Sequence, residues 1–444
     1  MDYLYPLLNF LQPGVLWPVL AILKPMLLAS AIALATVMRT TPEQWALLKR
    51  PALIWALVFV FIQFLSVYYS GIGSMLSTLG FWYIYPVFMA ISLLLMASER
   101  GLRRYVWGMI VGSMFVVAYG IWAKFSGLNS MRVAGEYFMG GRAGAYGMYR
   151  NQNDYSFIII QILPFIYLYW RNVDGRVVKA LLLVSMATCV VGIGLCLSRG
   201  GMLALILEGF LLLVLTMRRR TQLILLPLFI AIAIGGVGYQ WKARAQDDGQ
   251  HYTYEESEDT RRELWHAARL VIEARPLLGV GSNRFSEYAR DYYDLSQDDL
   301  GKNAHNTYLD VAASSGLLGL FAFVMMLRAV FAELKAKPPP ADKWLVATRT
   351  AVLIAFIAIV FRALMDAKEV DWSYYTLAAI AMATSALCRR AAAASSATVP
   401  SPPNEVDSAA RPAPAATYPR AGRPSGSGEA KSRRRLRPYG PYRS

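Results

Sequence analysis

The chain has 444 residues, of which 56% are hydrophobic and only 17% charged, and its mean hydropathy is +0.36. This excludes an ordinary soluble domain, whose apolar share is about 45–50% even with glycine counted, and points to a polytopic membrane protein. The net charge of +16 does not signal nucleic acid, because half of it lies from Arg389 onward, where eleven Lys and Arg face Glu405, Asp407 and Glu429.

A helix needs roughly 20 apolar residues to cross the hydrocarbon core. The first forty residues hold either one span interrupted at Lys24-Pro25 or two short ones, and they show no cleavable signal peptide, so the first spans serve as the insertion signal. Apolar runs follow at 52–70, 78–96, 104–123, 155–170, 178–197, 200–217, 222–240, 312–333, 347–365 and 372–388. The expected fold is therefore all-α, a transmembrane helical bundle of about eleven or twelve spans over residues 1–388, with one large exterior loop at 241–311 containing short helices. From 389 the Ala, Pro, Ser and Gly content predicts a disordered basic tail whose charge suits anionic lipid head groups. Cys189, Cys196 and Cys388 all lie in apolar stretches and form neither a disulfide framework nor a metal cluster.

Loop charges orient the bundle. Arg39, Lys49 and Arg50, then Arg100, Arg103 and Arg104, then Arg171, Arg176 and Lys179, then Arg218 to Arg220, then Lys335, Lys337 and Lys343 mark every second connection. By the positive-inside rule these are cytoplasmic, as is the C-terminus, and the connections at 71–77, 124–154, 198–200, 241–311 and 366–371 face the exterior.

The exterior side carries the residues suited to chemistry. In the large loop, Thr260 and Glu263 have capping-box spacing, and Leu264, Ala267, Ala268 and Val271 recur at helical intervals, predicting a helix over 261–275 ended by Pro276 and Gly279-Val280-Gly281. Arg261, Arg262 and Arg269 project from it. A second short helix or aromatic loop holds Tyr288, Tyr292 and Tyr293. His305, one of three histidines, ends the loop beside Asn306, where an imidazole can take a proton from a hydroxyl. Arg199 sits in a turn too short to leave the membrane surface, on the side that normally lacks positive charge, and so suits an anion. Arg142 and Arg150 lie in the glycine-rich stretch 141–153, and Arg362 and Asp366 can pair with each other near the outer end of a span. Arginines with one histidine and few acids suit a pyrophosphate, because guanidinium forks bind its oxygens bidentately and neutralise charge on a leaving group without a divalent metal. Plain alternatives stand beside each of these: a solvated helix face, an interfacial anchor, a flexible loop, a structural ion pair.

Four motifs resemble the O-antigen ligase and O-antigen polymerase superfamily of bacterial envelope glycosyltransferases. They are His305-Asn306 followed after nine residues by Gly316-Leu317-Leu318-Gly319, the loop pair Arg261-Arg262-Glu263-Leu264-Trp265 and Arg275-Pro276-Leu277-Leu278-Gly279-Val280-Gly281, the turn Ser198-Arg199-Gly200-Gly201, and the 141–153 segment with its Asn151-Gln152-Asn153. The resemblance covers most of 75–335. It implies an inverting, metal-independent transfer of a glycan from undecaprenyl diphosphate, with no cofactor, at the periplasmic face of a bacterial inner membrane. By carry-over Arg199 and Arg261, or Arg262 beside it, hold the diphosphate with Arg142, and His305 activates the acceptor hydroxyl, with Asn306, Arg150, Arg362 and Asp366 in support. The acceptor is lipid A core in a ligase, another lipid-linked repeat in a polymerase, or a protein serine in an O-oligosaccharyltransferase. A lipid-linked glycan flippase would expect internal repeats and charges within the spans, and a metal-dependent polyprenyl-phosphate glycosyltransferase would expect acids in the 71–77 loop.

Overall fold

The computed structural model describes residues 1–39, 41–70, 84–127, 142–250, 258–281, 284–293, 303–339, 341–367 and 371–397. Among them there are helices and no strand. In chain order the main helices are α1 (Leu4–Leu11), α2 (Pro25–Val37), α3 (Pro51–Ser70), α4 (Ile84–Leu95), α5 (Glu99–Phe125), α6 (Gln152–Asn172), α7 (Arg176–Cys196), α8 (Arg199–Thr216), α9 (Arg219–Gln250), α10 (Glu258–Ala274), α11 (Phe285–Tyr292), α12 (Thr307–Glu333), α13 (Lys343–Arg362) and α14 (Trp372–Ala397). Eight are long and apolar enough to cross a membrane: α3, α5, α7, α8, α9, α12, α13 and α14. The expected eleven or twelve spans are reached only by adding α6, whose polar first turn dilutes its hydropathy, and the short apolar helices α2 and α4. The start of the run at 78–96 and the loop at 71–77 lie outside the described residues.

The N-terminal forty residues form an out-and-back pair of broken segments. Pro13, Pro18 and Pro25 each begin a new helical piece, and Lys24 precedes the last in a left-handed conformation. At about 1.5 Å per residue neither α1 nor α2 spans a bilayer alone. Asp2 lies 3.7 Å from Arg104, which sets the N-terminus at the end where the basic loops gather. Helix α1 packs into a notch on α5, where a Cβ on Gly108 would stand 2.2 Å from the Tyr3 carbonyl oxygen and one on Gly112 3.0 Å from that of Leu7. Small residues four apart let helix backbones approach this closely. Gly108→Ala is expected to destabilise the protein by about 1–3 kcal/mol through overpacking, read as a lowered thermal unfolding midpoint in detergent.

The buried α6 packs against α5, α7, α8 and α13. Helix α9 lies at the edge with none of its apolar window buried; an apolar surface of that length marks a membrane or partner-facing side. Three sequence expectations are corrected. Helix α9 continues to Gln250 and α12 begins at Thr307, so the connection expected at 241–311 is shorter than that. Helix α10 begins at Glu258, so Thr260 falls inside the helix and not at its N-cap position. Helix α14 extends to Ala397, past the expected start of the tail, and residues 398–444 lie outside those described. An ionisable side chain, Glu208, is fully buried within α8 beside Cys189.

The basic end is tied together by Arg50 and Arg389, both on the Glu333 carboxylate at 2.8 and 3.5 Å, by Arg390 donating to the Ala97 carbonyl, and by Arg103 over the Trp344 ring. At the other end, Leu264, Ala267, Ala268 and Val271 of α10 are all buried in a small second core with Val280, Phe285, Ala289 and Ala313. The helical spacing of these residues in the sequence is the face that docks on α12.

Candidate functional site

The site is built on a break in α12. Gly316 has φ 69° and ψ −176°, a conformation essentially reserved for glycine. The break frees backbone groups in a helix that would otherwise satisfy them internally, and the 276–281 segment fills it. Leu317 N–H donates to the Pro276 carbonyl at 2.7 Å and Leu318 N–H to that of Leu277 at 3.4 Å, while Val280 and Gly281 N–H donate to the Ala313 and Ser314 carbonyls at 3.0 and 2.9 Å. Gly279, at φ 68°, is equally required, since a Cβ there would stand 2.4 Å from the Ala313 oxygen. The two glycine-bearing motifs are thus two halves of one joint. It clamps α10 and the segment after it to α12, the membrane helix that starts next to the histidine.

His305 stands just before α12 in a left-handed conformation, φ 47°, which histidine tolerates better than most residues. Both flanks hold it. The Trp265 indole N–H of α10 donates to the Ala304 carbonyl at 2.8 Å, and the Asn306 side chain caps α12 by accepting from Tyr308 and Leu309 N–H. Thr307 N–H donates to the Ala363 carbonyl and its hydroxyl to the Asp366 carbonyl, which pins the start of α12 to the end of α13. The oxygen of Asn306 is thereby committed to backbone. Asn306→Ala is expected to cost about 1 kcal/mol of stability, as loss of a helix N-cap does, whereas Asn306→Ser leaves the unfolding midpoint nearly unchanged.

His305 Nδ1 lies 3.5 Å from Asp366 Oδ1, and Asp366 Oδ2 lies 3.5 Å from Nη2 of Arg362. Arg362 is fully buried. Its Nη2 donates to Asn153 Oδ1 at 3.2 Å and to Ser198 Oγ at 3.3 Å, and the Ser198 hydroxyl donates to the same Asn153 oxygen at 2.8 Å. The guanidinium lies across Gly200, where a Cβ would come within 2.7 Å of Nη1, and above the Phe157 ring at 5.1 Å. Asp366 and Asp154 stabilise its charge, and Arg261 is close enough to oppose it.

The structure therefore brings His305, Asp366, Arg362 and Arg261 to one place. Arg262, the next residue on α10, is exposed. Arg142 is buried, its neighbour Ala143 bonded through N–H to the Leu195 carbonyl, and both Arg142 and Arg362 act electrostatically on Cys196. Arg150 is half-buried just before the cap of α6. Nearby, burial and then the charge of Asp371 push the Tyr149 phenol well above its usual range. Arg199, first residue of α8, is half-buried with its guanidinium over the Trp241 ring at 5.8 Å, and makes no ion pair among the described residues. Arg269 belongs to a solvated face, paired with Glu273. Sequence reasoning did not single out Asn153, Ser198 or Trp265, although each stands inside a motif. Their side chains position the site through bonds between helices far apart in sequence, which spacing does not display.

Fold and site together define a polytopic helical membrane protein with a histidine, a carboxylate and several arginines at one end beneath a small helical cap. Residues 181–324 match the family described as O-antigen ligase, which supports the resemblance to the O-antigen ligase and polymerase superfamily. The matched stretch includes Arg199, Arg261, His305 and the Gly316 joint, and leaves Arg142, Arg362 and Asp366 outside it. No curated protein matches the chain.

Proposed function

We propose that the protein transfers a glycan, with inversion and without a metal, from undecaprenyl diphosphate to an acceptor hydroxyl at the periplasmic face of a bacterial inner membrane. The observation that carries this reading is the His305–Asp366–Arg362 line with Arg261 beside it, inside and next to the matched domain. With Nδ1 turned toward a carboxylate, the imidazole is favoured as the tautomer that carries its proton there, leaving Nε2 as a base. Nε2 takes the acceptor proton, the hydroxyl oxygen bonds to the anomeric carbon, and the bond from that carbon to the diphosphate oxygen breaks. Arg261 and Arg199, with Arg142 in support, balance the charge that develops on the leaving diphosphate.

The acceptor we favour is lipid A core, which makes the protein an O-antigen ligase; a second lipid-linked repeat would make it a polymerase, and a protein hydroxyl an O-oligosaccharyltransferase. In a deletion strain, loss of all capped core supports ligation, and core bearing a single repeat supports polymerisation instead. The orientation rests on the basic loops gathering at the end opposite His305. A flippase draws support only from Glu208, because the remaining site charges lie at one end of the bundle.

The assay is transfer by the purified protein from a polyprenyl-diphosphate glycan, with and without chelator; chelator-sensitive transfer overturns the metal-independent reading. The neighbouring arginines give a sharper test. Arg261→Ala is expected to lower transfer by 10–100-fold or more, as loss of a charge-stabilising group of about 1.5–3 kcal/mol does, while Arg262→Ala stays within a few-fold of wild type. Equal effects would remove the distinction.

A further inference from the structure

A pocket lies at the end of the bundle away from His305. It has a volume of about 310 Å³ and sits where α6 and α8 end and α13 begins. These same three helices carry Asn153, Ser198 and Arg362 at their other ends, about 28 Å away at 1.5 Å per residue. Arg171 and Lys343 line it with Asn172, Thr216 and Thr350, while Leu168 and Val346 contribute to its apolar wall. Its volume equals that of about ten waters, enough for a small polar head group.

The charge around it is one-sided. Arg171 and Lys343 are both exposed at its mouth, and Arg218, Arg219 and Arg220 follow Thr216 after Met217 in the chain. Of the nearby acids, Asp342 is occupied as the cap of α13, accepting from Leu345 N–H at 2.8 Å, and Asp174 lies exposed in the turn between α6 and α7. Arg171 is held in place, with Nη1 donating to the Thr216 carbonyl at 2.9 Å and the guanidinium 5.9 Å from the Tyr167 ring. That single bond occupies a small part of a fork with five donors. Apolar wall, hydroxyls and clustered cations at the edge of a helical bundle are the chemistry of the boundary between acyl chains and phosphate.

We propose that this pocket binds the phosphate of an anionic phospholipid head group, with Arg171 and Lys343 as its ligands, and that the bound lipid joins α6, α8 and α13 at the end opposite the glycan site. The inference does not depend on the reaction proposed above. It is tested on the full-length protein in neutral detergent, titrated with a short-chain phosphatidylglycerol, a phosphatidylcholine of the same chain length, or inorganic phosphate, with binding read by native mass spectrometry and by the thermal unfolding midpoint. Phosphatidylglycerol is expected to bind and raise the midpoint, with phosphatidylcholine at least about tenfold weaker, the equivalent of one charge-assisted hydrogen bond. Lys343→Glu and Arg171→Ala are each expected to weaken phosphatidylglycerol binding by about the same factor. Because Arg171 also bonds to Thr216, Lys343→Glu is the variant that tests charge without loss of a helix contact. Equal binding of the two lipids, or no change in Lys343→Glu, overturns the proposal, and inorganic phosphate binding as tightly as phosphatidylglycerol overturns the assignment to a lipid.

Discussion

His305→Asn is expected to lower glycan transfer by about 10²–10⁴-fold, the range over which a positioned general base contributes, with little change in the thermal unfolding midpoint. The choice of asparagine follows from the backbone. His305 sits at φ 47°, where an alanine adds strain and an asparagine does not, so His305→Asn separates loss of the base from loss of the loop. The residue is held by its neighbours more than by its own ring, since Trp265 fixes Ala304 on one side and Asn306 caps α12 on the other. Removing the imidazole therefore leaves the Asp366–Arg362 pair and the start of α12 in place. Transfer at wild-type rate in the purified His305→Asn protein would sink the base assignment.

Gly316→Ala is expected to disrupt both fold and activity, with a loss of stability of roughly 3 kcal/mol or more. Two independent costs add. The backbone conformation is one that only glycine adopts without a penalty of about 1–3 kcal/mol, and the new Cβ would stand 2.1 Å from the Leu277 carbonyl oxygen, which is backbone and has nowhere to retreat. Relief would require expelling the 276–281 segment and with it four hydrogen bonds that satisfy both sides of the break. Inside a membrane protein those backbone groups have no water to turn to. Since 276–281 follows directly from α10, its release also displaces Arg261 and Trp265 from the site. The measurement is a pair of variants compared by expression level, unfolding midpoint and protease cleavage within 276–281. Gly194→Ala in α7 is the milder partner, because a Cβ there meets nothing within 4 Å. If Gly316→Ala were no worse than Gly194→Ala, the joint would not be the element that holds the site together.

The apolar runs made most of the helices legible, because a stretch long enough to cross hydrocarbon can hardly satisfy its backbone there in any other way. The face of α10 was equally legible, since Leu264, Ala267, Ala268 and Val271 have the period of one helical face and all are buried. Boundaries were less so. Helix α9 runs on to Gln250 and α10 starts at Glu258 because polar residues continue a helix without any hydropathy signal. The motif glycines were visible as spacing, but their purpose was not: Gly279 and Gly316 are 37 positions apart by number and meet only when one segment enters the break in the other's helix.

By itself the sequence determined that this is a helical membrane protein, which end of it is basic, and which few histidine and arginine residues belong to the other end. These follow from composition and local periodicity, which act over one turn or one span. Only the tertiary structure decided that Arg261 and not Arg262 turns toward Arg362, that Asp366 stands between Arg362 and His305, and that Asn306 gives its side chain to a helix cap. Adjacent residues on a helix point about 100° apart, and a carboxylate takes its partner from whatever another helix brings within reach, so these choices reside in packing across the chain and leave no trace in the order of neighbours along it.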